Sequence, residues 1–221
     1  MNVAAGELFS LTDIYSPLPG CTVSGDLVSS KDASVTAFSL AAGTGISAGI
    51  WQEPRLLLVL SGEIQVEEPD LNRKIAMKTG EALIIEAHTL TGVTARSDAV
   101  YVEITLCQGS FNASLPVGEA FVLKDRVPVQ PGRIVNMDLA VSEELKFVIM
   151  SFDADTGLSG HAAPGDALLF GLEGSAVVGY EGTDHILNAG ENFKFAAGGR
   201  HTVRADGPFV MALLMELPAR E

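Results

Sequence analysis

Laid against itself, this sequence of 221 residues repeats. Gly6 to Gly62 aligns with Gly118 to Gly174 without a gap, and 20 of the 57 aligned positions are identical, against roughly one in fifteen expected from average usage. "GELFSLTD" meets "GEAFVLKD", "PGCTVSGDL" meets "PGRIVNMDL", and "LLLVLSG" meets "LLFGLEG". Two residues are then dropped from the later copy, after which Gly80-Glu81 meets Gly190-Glu191, Ala87 meets Ala197 and Val93 meets Val203. Self-similarity on this scale means one fold present twice. Each copy has about 110 residues, a usual domain size. The boundary falls in "CQGSFNASLPVG", between Cys107 and Gly118, which predicts domains over 1–110 and 111–221.

Both copies read as strands. "SVTAFSL", "RLLLVLSGEIQVEE", "EALIIEA" and "AVYVEITL" are short apolar or alternating runs bounded by Gly, Asp, Asn and Pro. Helical periodicity is weak, with room for one turn in "SLTDIYSP" and one in its twin "VLKDRVPV". Many evenly spaced short strands predict an all-β chain folded as sandwiches or closed barrels, which leave few exposed edges.

Composition narrows the function. Hydrophobic residues at 47% and charged residues at 19% supply a packed core. A net charge of −14 argues against a nucleic-acid partner, which would need clustered Lys and Arg. The basic residues are scattered except for Arg73, Lys74 and Lys78 around one predicted turn. The opening "MNVAAGELFSLTDIY" has neither the basic start nor the apolar core of a secretory signal, and no apolar run is long enough to span a membrane. A soluble cytoplasmic protein is expected, with Cys21 and Cys107 as free thiols. No Ser-His-Asp order, P-loop, nucleotide-binding Gly pattern or paired catalytic carboxylates stand out.

The stretch "GHAAPGDALLFGLEG", followed later by "GENFKFAAGGRH", resembles the cupin superfamily. That family's first motif runs Gly, five residues, His-x-His, three or four residues, Glu, six residues, Gly. Its second runs Gly, five residues, Pro-x-Gly, two residues, His. The likeness spans both halves and implies a small bicupin, two tandem jelly-roll barrels. In the C-terminal copy Gly174 closes the first motif, which puts the family's glutamate at Ala167, its second histidine at Ala163 and its first at His161. The second motif starts at Gly190, with Ala196 in the proline place, Gly198 in the glycine place and His201 in the histidine place. Two of four family ligands remain. In the N-terminal copy the matching positions are Gly49, Trp51 and Arg55, then Glu86, His88 and Thr91, and no ligand remains.

The resemblance thus allows one divalent metal (Fe, Mn, Ni, Cu or Zn) at His161 and His201, two imidazoles from different strands meeting inside a barrel. Without a metal, these histidines line a pocket for a small molecule together with Ala163 and Ala167. Asp166 is the nearest third ligand, provided that a bulge at Pro164-Gly165 turns it inward. Trp51 falls at an inward position, as core or as a stacking wall. Arg55 is expected in solvent, or else lining the ligand pocket with Trp51 and in charge-assisted contact with a carboxylate of the ligand. Arg200, next to His201, is a candidate anion contact at the pocket mouth. His88 and His185 are expected on the surface, and Glu173 and Glu191 as solvated turn residues. Three functions follow in order: a small-molecule-binding bicupin with its pocket in the C-terminal barrel; a metal-dependent dioxygenase, isomerase or lyase; and a structural or assembly protein. A homodimer is also expected, unless the fused copies already pair as a pseudo-dimer.

Overall fold

The computed structural model describes residues 3–218. The apolar and alternating runs are strands: Ala33–Leu40, Arg55–Ser61, Glu63–Glu68, Glu81–Ile85 and Ala99–Leu106 in the first copy. The longest of these runs is divided at Gly62, whose φ of +77° suits glycine and ends one strand before the next begins. Among the described residues, helix is limited to Leu11–Ile14 and the 3-10 turns Pro69–Leu71 and Lys124–Arg126. The first and last of these lie in the twin segments expected to hold a turn.

The chain divides into two compact units, each of which has the two-sheet architecture of a jelly roll. One comprises 11–108 and 113–123. Its six-stranded sheet runs, in spatial order, Phe121–Val122, Glu81–Ile85, Arg55–Ser61, Ala99–Leu106, Ala33–Leu40, Thr22–Ser29. Its four-stranded sheet runs Gly45–Ile50, Leu90–Ala95, Glu63–Glu68, Arg73–Lys78. The basic cluster predicted at a turn lies on the last of these strands, where Arg73 pairs with Glu68, and Lys74 Nζ sits 3.0 Å from Glu67 Oε1. Opposite charges facing each other across neighbouring strands stabilise the pairing.

The other unit comprises the segment before Leu11, Gly109–Asn112 and the chain from Lys124 onward. Its seven-stranded sheet runs Leu8–Phe9, Asn192–Phe195, Ala167–Glu173, Phe209–Glu216, Leu145–Phe152, Ile134–Val141, Ser110–Phe111. Its four-stranded sheet runs Thr156–Ala162, Arg200–Ala205, Ser175–Tyr180, Thr183–Asn188.

The duplication holds at the level of strand register. Gly49 faces Thr91 in one unit as His161 faces His201 in the other. Arg55 faces Ile85 and Thr105, and Ala167 faces Phe195 and Met215. A bulge interrupts the first strand of both four-stranded sheets, between Ile46 and Gly49 and between Leu158 and His161. Even the two-residue edge strands correspond, with Phe121 opposite Ala82 and Phe9 opposite Asn192. Each unit carries its own apolar core. One is built on Leu57, Val59, Val66, Leu83 and Tyr101, the other on Leu169, Val178, Phe193, Phe195 and Met211.

Candidate functional site

In the C-terminal unit the bulge after Leu158 and the pairing of Thr156–Ala162 with Arg200–Ala205 set His161 directly against His201. The two imidazole centroids lie 4.2 Å apart, with the rings inclined at 56°. His201 is buried and stacks on Phe195, with centroids 4.1 Å apart and rings 22° from parallel. Burial, opposed by a hydrogen bond to Gly199 O and reinforced by the neighbouring His161, holds its pKa below the ordinary imidazole value. His161 differs from the expectation of an interior residue, because it is exposed. The pair therefore reaches from the apolar interior to solvent. Each ring has its Nδ1 near a backbone carbonyl, His161 at 2.8 Å from Ser159 O and His201 at 3.3 Å from Gly199 O. A carbonyl oxygen only accepts, so Nδ1 carries the hydrogen in each contact and Nε2 is the nitrogen left to face a ligand.

The other motif positions supply no donor. Ala163 and Ala167 are buried in the core. Asp166 does not serve as a third ligand. Its carboxylate accepts a hydrogen bond from the Ala197 backbone N–H at 3.0 Å and sits 2.9 Å from Lys194 Nζ. Although burial opposes it, these partners hold its pKa below the usual carboxylate value. Among the described residues no group of three His, Cys, Asp or Glu side chains is arranged to hold a metal ion. A catalytic metal ordinarily takes three protein ligands plus an open position. The two-imidazole donor set therefore does not fit a resident catalytic centre. Arg200 is exposed beside the pair, on a groove also bordered by Gly160, Gly179 and Thr202. His185 is half-buried against Phe193, with ring centroids 5.0 Å apart, rather than on the surface. His88 is exposed at a turn, and Glu173 is exposed and paired with Lys124 Nζ at 2.6 Å.

Trp51 and Arg55 belong to the other unit, and each departs from one of its two expected placements, Trp51 from the core and Arg55 from solvent. Trp51 is 40% exposed rather than buried. Arg55, expected in solvent, is buried, because alternation along Arg55–Ser61 puts it on the same inward face as Leu57 and Val59. Its Nη1 donates to Glu103 Oε2 at 3.1 Å. The guanidinium carbon lies 4.7 Å from the Trp51 ring centroid, a cation–π contact. Burial lowers the Arg55 pKa and raises that of Glu103, and each partner offsets part of the other's shift. Burial, with Glu103 nearby, also pushes the Tyr101 phenol up, so it remains protonated. Glu103 and Tyr101 were missed in the sequence. The available signal was a carboxylate inside the otherwise apolar run "AVYVEITL".

The chain is similar to a solved cupin 2 conserved barrel domain protein from Leptotrichia buccalis, with 25% identity, a TM-score of 0.85 and coverage of 97% of this chain and 98% of that one. It is also similar to a variant of salicylate 1,2-dioxygenase from Pseudoaminobacter salicylatoxidans, with 12% identity, a TM-score of 0.65 and coverage of 95% and 83%. A different variant of that enzyme, in complex with gentisate, matches at 11% identity, with a TM-score of 0.64 and coverage of 95% and 81%. No protein-family model matches the sequence, and no curated protein does. By fold the chain belongs to the cupin superfamily, as an all-β protein with the jelly roll present twice. No helix among the described residues is long and apolar enough to cross a membrane.

Proposed function

We propose that the chain is a small-molecule-binding bicupin whose ligand engages the C-terminal unit at His161 and His201. The supporting observation is the pair itself, a buried imidazole and an exposed one with centroids 4.2 Å apart at the edge of an apolar interior. With Nδ1 turned to the backbone, each ring has Nε2 to accept a hydrogen bond from a ligand hydroxyl or acid. Alanine at 163 and 167 takes the place of two of the four cupin ligands, which favours reversible binding over metal-assisted bond-breaking.

A second reading, a metal-dependent enzyme of the dioxygenase, isomerase or lyase kind, draws on one feature. Hydrogen bonds from Nδ1 to backbone carbonyls are the support that metal-bound histidines commonly have. It would need a further ligand that these residues do not supply.

Thermal denaturation of the wild type and of His161→Ala/His201→Ala, each against a panel of small oxygenated acids and alcohols, tests the first reading. A compound that raises the wild-type Tm, and does so in proportion to RT ln(1+[L]/Kd), should fail to raise that of the variant. If no compound in the panel raises the wild-type Tm by more than it raises that of the variant, the reading is overturned. Metal analysis of protein purified without chelators should find less than about a tenth of an equivalent, as two nitrogen donors hold borderline metals weakly.

A further inference from the structure

The interiors of the two units differ in charge at corresponding positions. Where the C-terminal unit has Ala167, Met211 and Leu213, the N-terminal unit has Arg55, Tyr101 and Glu103, at the same places in the strand register. The side chains of Arg55 and Glu103 are 4% and 7% exposed, and Tyr101 is fully buried. Glu103 takes only Nη1. Arg55 Nε and Nη2, and the Tyr101 hydroxyl, have no hydrogen-bond partner within the protein. Nε–H and Nη2–H leave the same edge of the guanidinium in parallel, the geometry that the two oxygens of a carboxylate accept. Buried charged donors left unmet are costly, and an incoming acceptor recovers that cost.

Aromatic faces border these donors. Trp51 covers Arg55 and is half open to solvent, and Phe38 stacks on Tyr101 with centroids 5.0 Å apart. The positions that hold imidazoles in the C-terminal unit are Gly49 and Thr91 here. No atom lies within 4 Å of where a Gly49 Cβ would stand, so no side chain takes the place of His161 in this unit.

We infer that the N-terminal unit binds a small organic carboxylate, with its oxygens on Arg55 Nε and Nη2, the Tyr101 hydroxyl as a further donor, and Trp51 over the bound molecule. This site is independent of the imidazole pair. It uses different residues of a different unit.

Trp51 is the single tryptophan of the chain, so its fluorescence reports on this site alone. Sodium benzoate titrated into the full chain, with excitation confined to tryptophan, should change the emission saturably, with half-saturation below about 10 mM. Benzamide, the neutral isostere, should bind at least tenfold more weakly. Tyr101→Phe, which removes one hydroxyl from a buried ring, should weaken benzoate several-fold, and Arg55→Met/Glu103→Leu should abolish the response. His161→Ala/His201→Ala should leave it unchanged, which separates this site from the one proposed above. No saturable change, equal binding of benzamide, or a response that survives in Arg55→Met/Glu103→Leu or vanishes in the histidine variant would overturn the inference. Should the double variant fail to fold, the comparison of benzoate with benzamide on the wild type decides.

Discussion

His201 and Phe195 lie face to face, ring on ring at 4.1 Å, and this contact takes the imidazole out of water. A depressed folded-state pKa means that the unfolded chain takes up this proton first as pH falls below the ordinary value of 6.5. The contribution of His201 to stability is therefore complete above that value and shrinks as pH drops below it. Measured between pH 8 and pH 5, the wild type should lose more Tm than His201→Phe, which keeps the ring contact and cannot be protonated. Parallel loss in the two proteins would contradict the assignment.

The Arg55–Glu103 pair predicts an asymmetry between single and double substitutions. Arg55→Ala leaves a buried carboxylate without its counter-ion and should cost about 3–5 kcal/mol. Arg55→Met/Glu103→Leu removes both charges at similar volume and should be neutral or stabilising by up to about 4 kcal/mol. Urea unfolding of the three proteins measures both effects.

Gly62 and Gly174 close the same turn in the two copies, with φ of +77° and +72°. A Cβ at Gly62 would stand 2.0 Å from Asp98 O, and one at Gly174 would stand 2.2 Å from Pro208 O. Alanine at either site must move backbone as well as adopt a left-handed conformation, for a cost of about 2–4 kcal/mol at each. Gly207→Ala, with nothing within 4 Å of its Cβ, should stay within about 0.5 kcal/mol of the wild type.

Ala163→His adds a third imidazole at the place where the cupin pattern has one. Zn2+ or Ni2+ affinity measured by calorimetry should rise at least about tenfold over the wild type, as the donor set goes from two to three. Crowding the packed core should cost about 1–3 kcal/mol in stability. Unchanged affinity in a folded variant would mean that position 163 does not face the histidine pair.

The fold was legible because the repeat preserves what a jelly roll needs locally, such as the Gly62 and Gly174 turns and the apolar runs before them. His161 and His201 could be paired because both spacings survive, although spacing does not show that His201 alone stacks on Phe195 while His161 stays exposed. Arg55 was misread for a different reason. Its partner is 48 residues away, and only strand pairing brings Glu103 to the same inward face. Asp166 likewise finds Lys194 through tertiary structure rather than through proximity in sequence. The edge strands Leu8–Phe9 and Phe121–Val122 join their sheets through backbone hydrogen bonds, which leave no side-chain pattern to read.

Those two short strands also govern how the chain could be cut. A break between Cys107 and Gly118 would leave Leu8–Phe9 on the fragment that lacks its pairing strand Asn192–Phe195, and Phe121–Val122 on the one that lacks Glu81–Ile85. Each fragment would then present a bare sheet margin, open to chance pairing with other chains. Synthesis as one polypeptide guarantees that both margins are covered in equal measure, and it gives a duplicated gene a physical reason to stay fused.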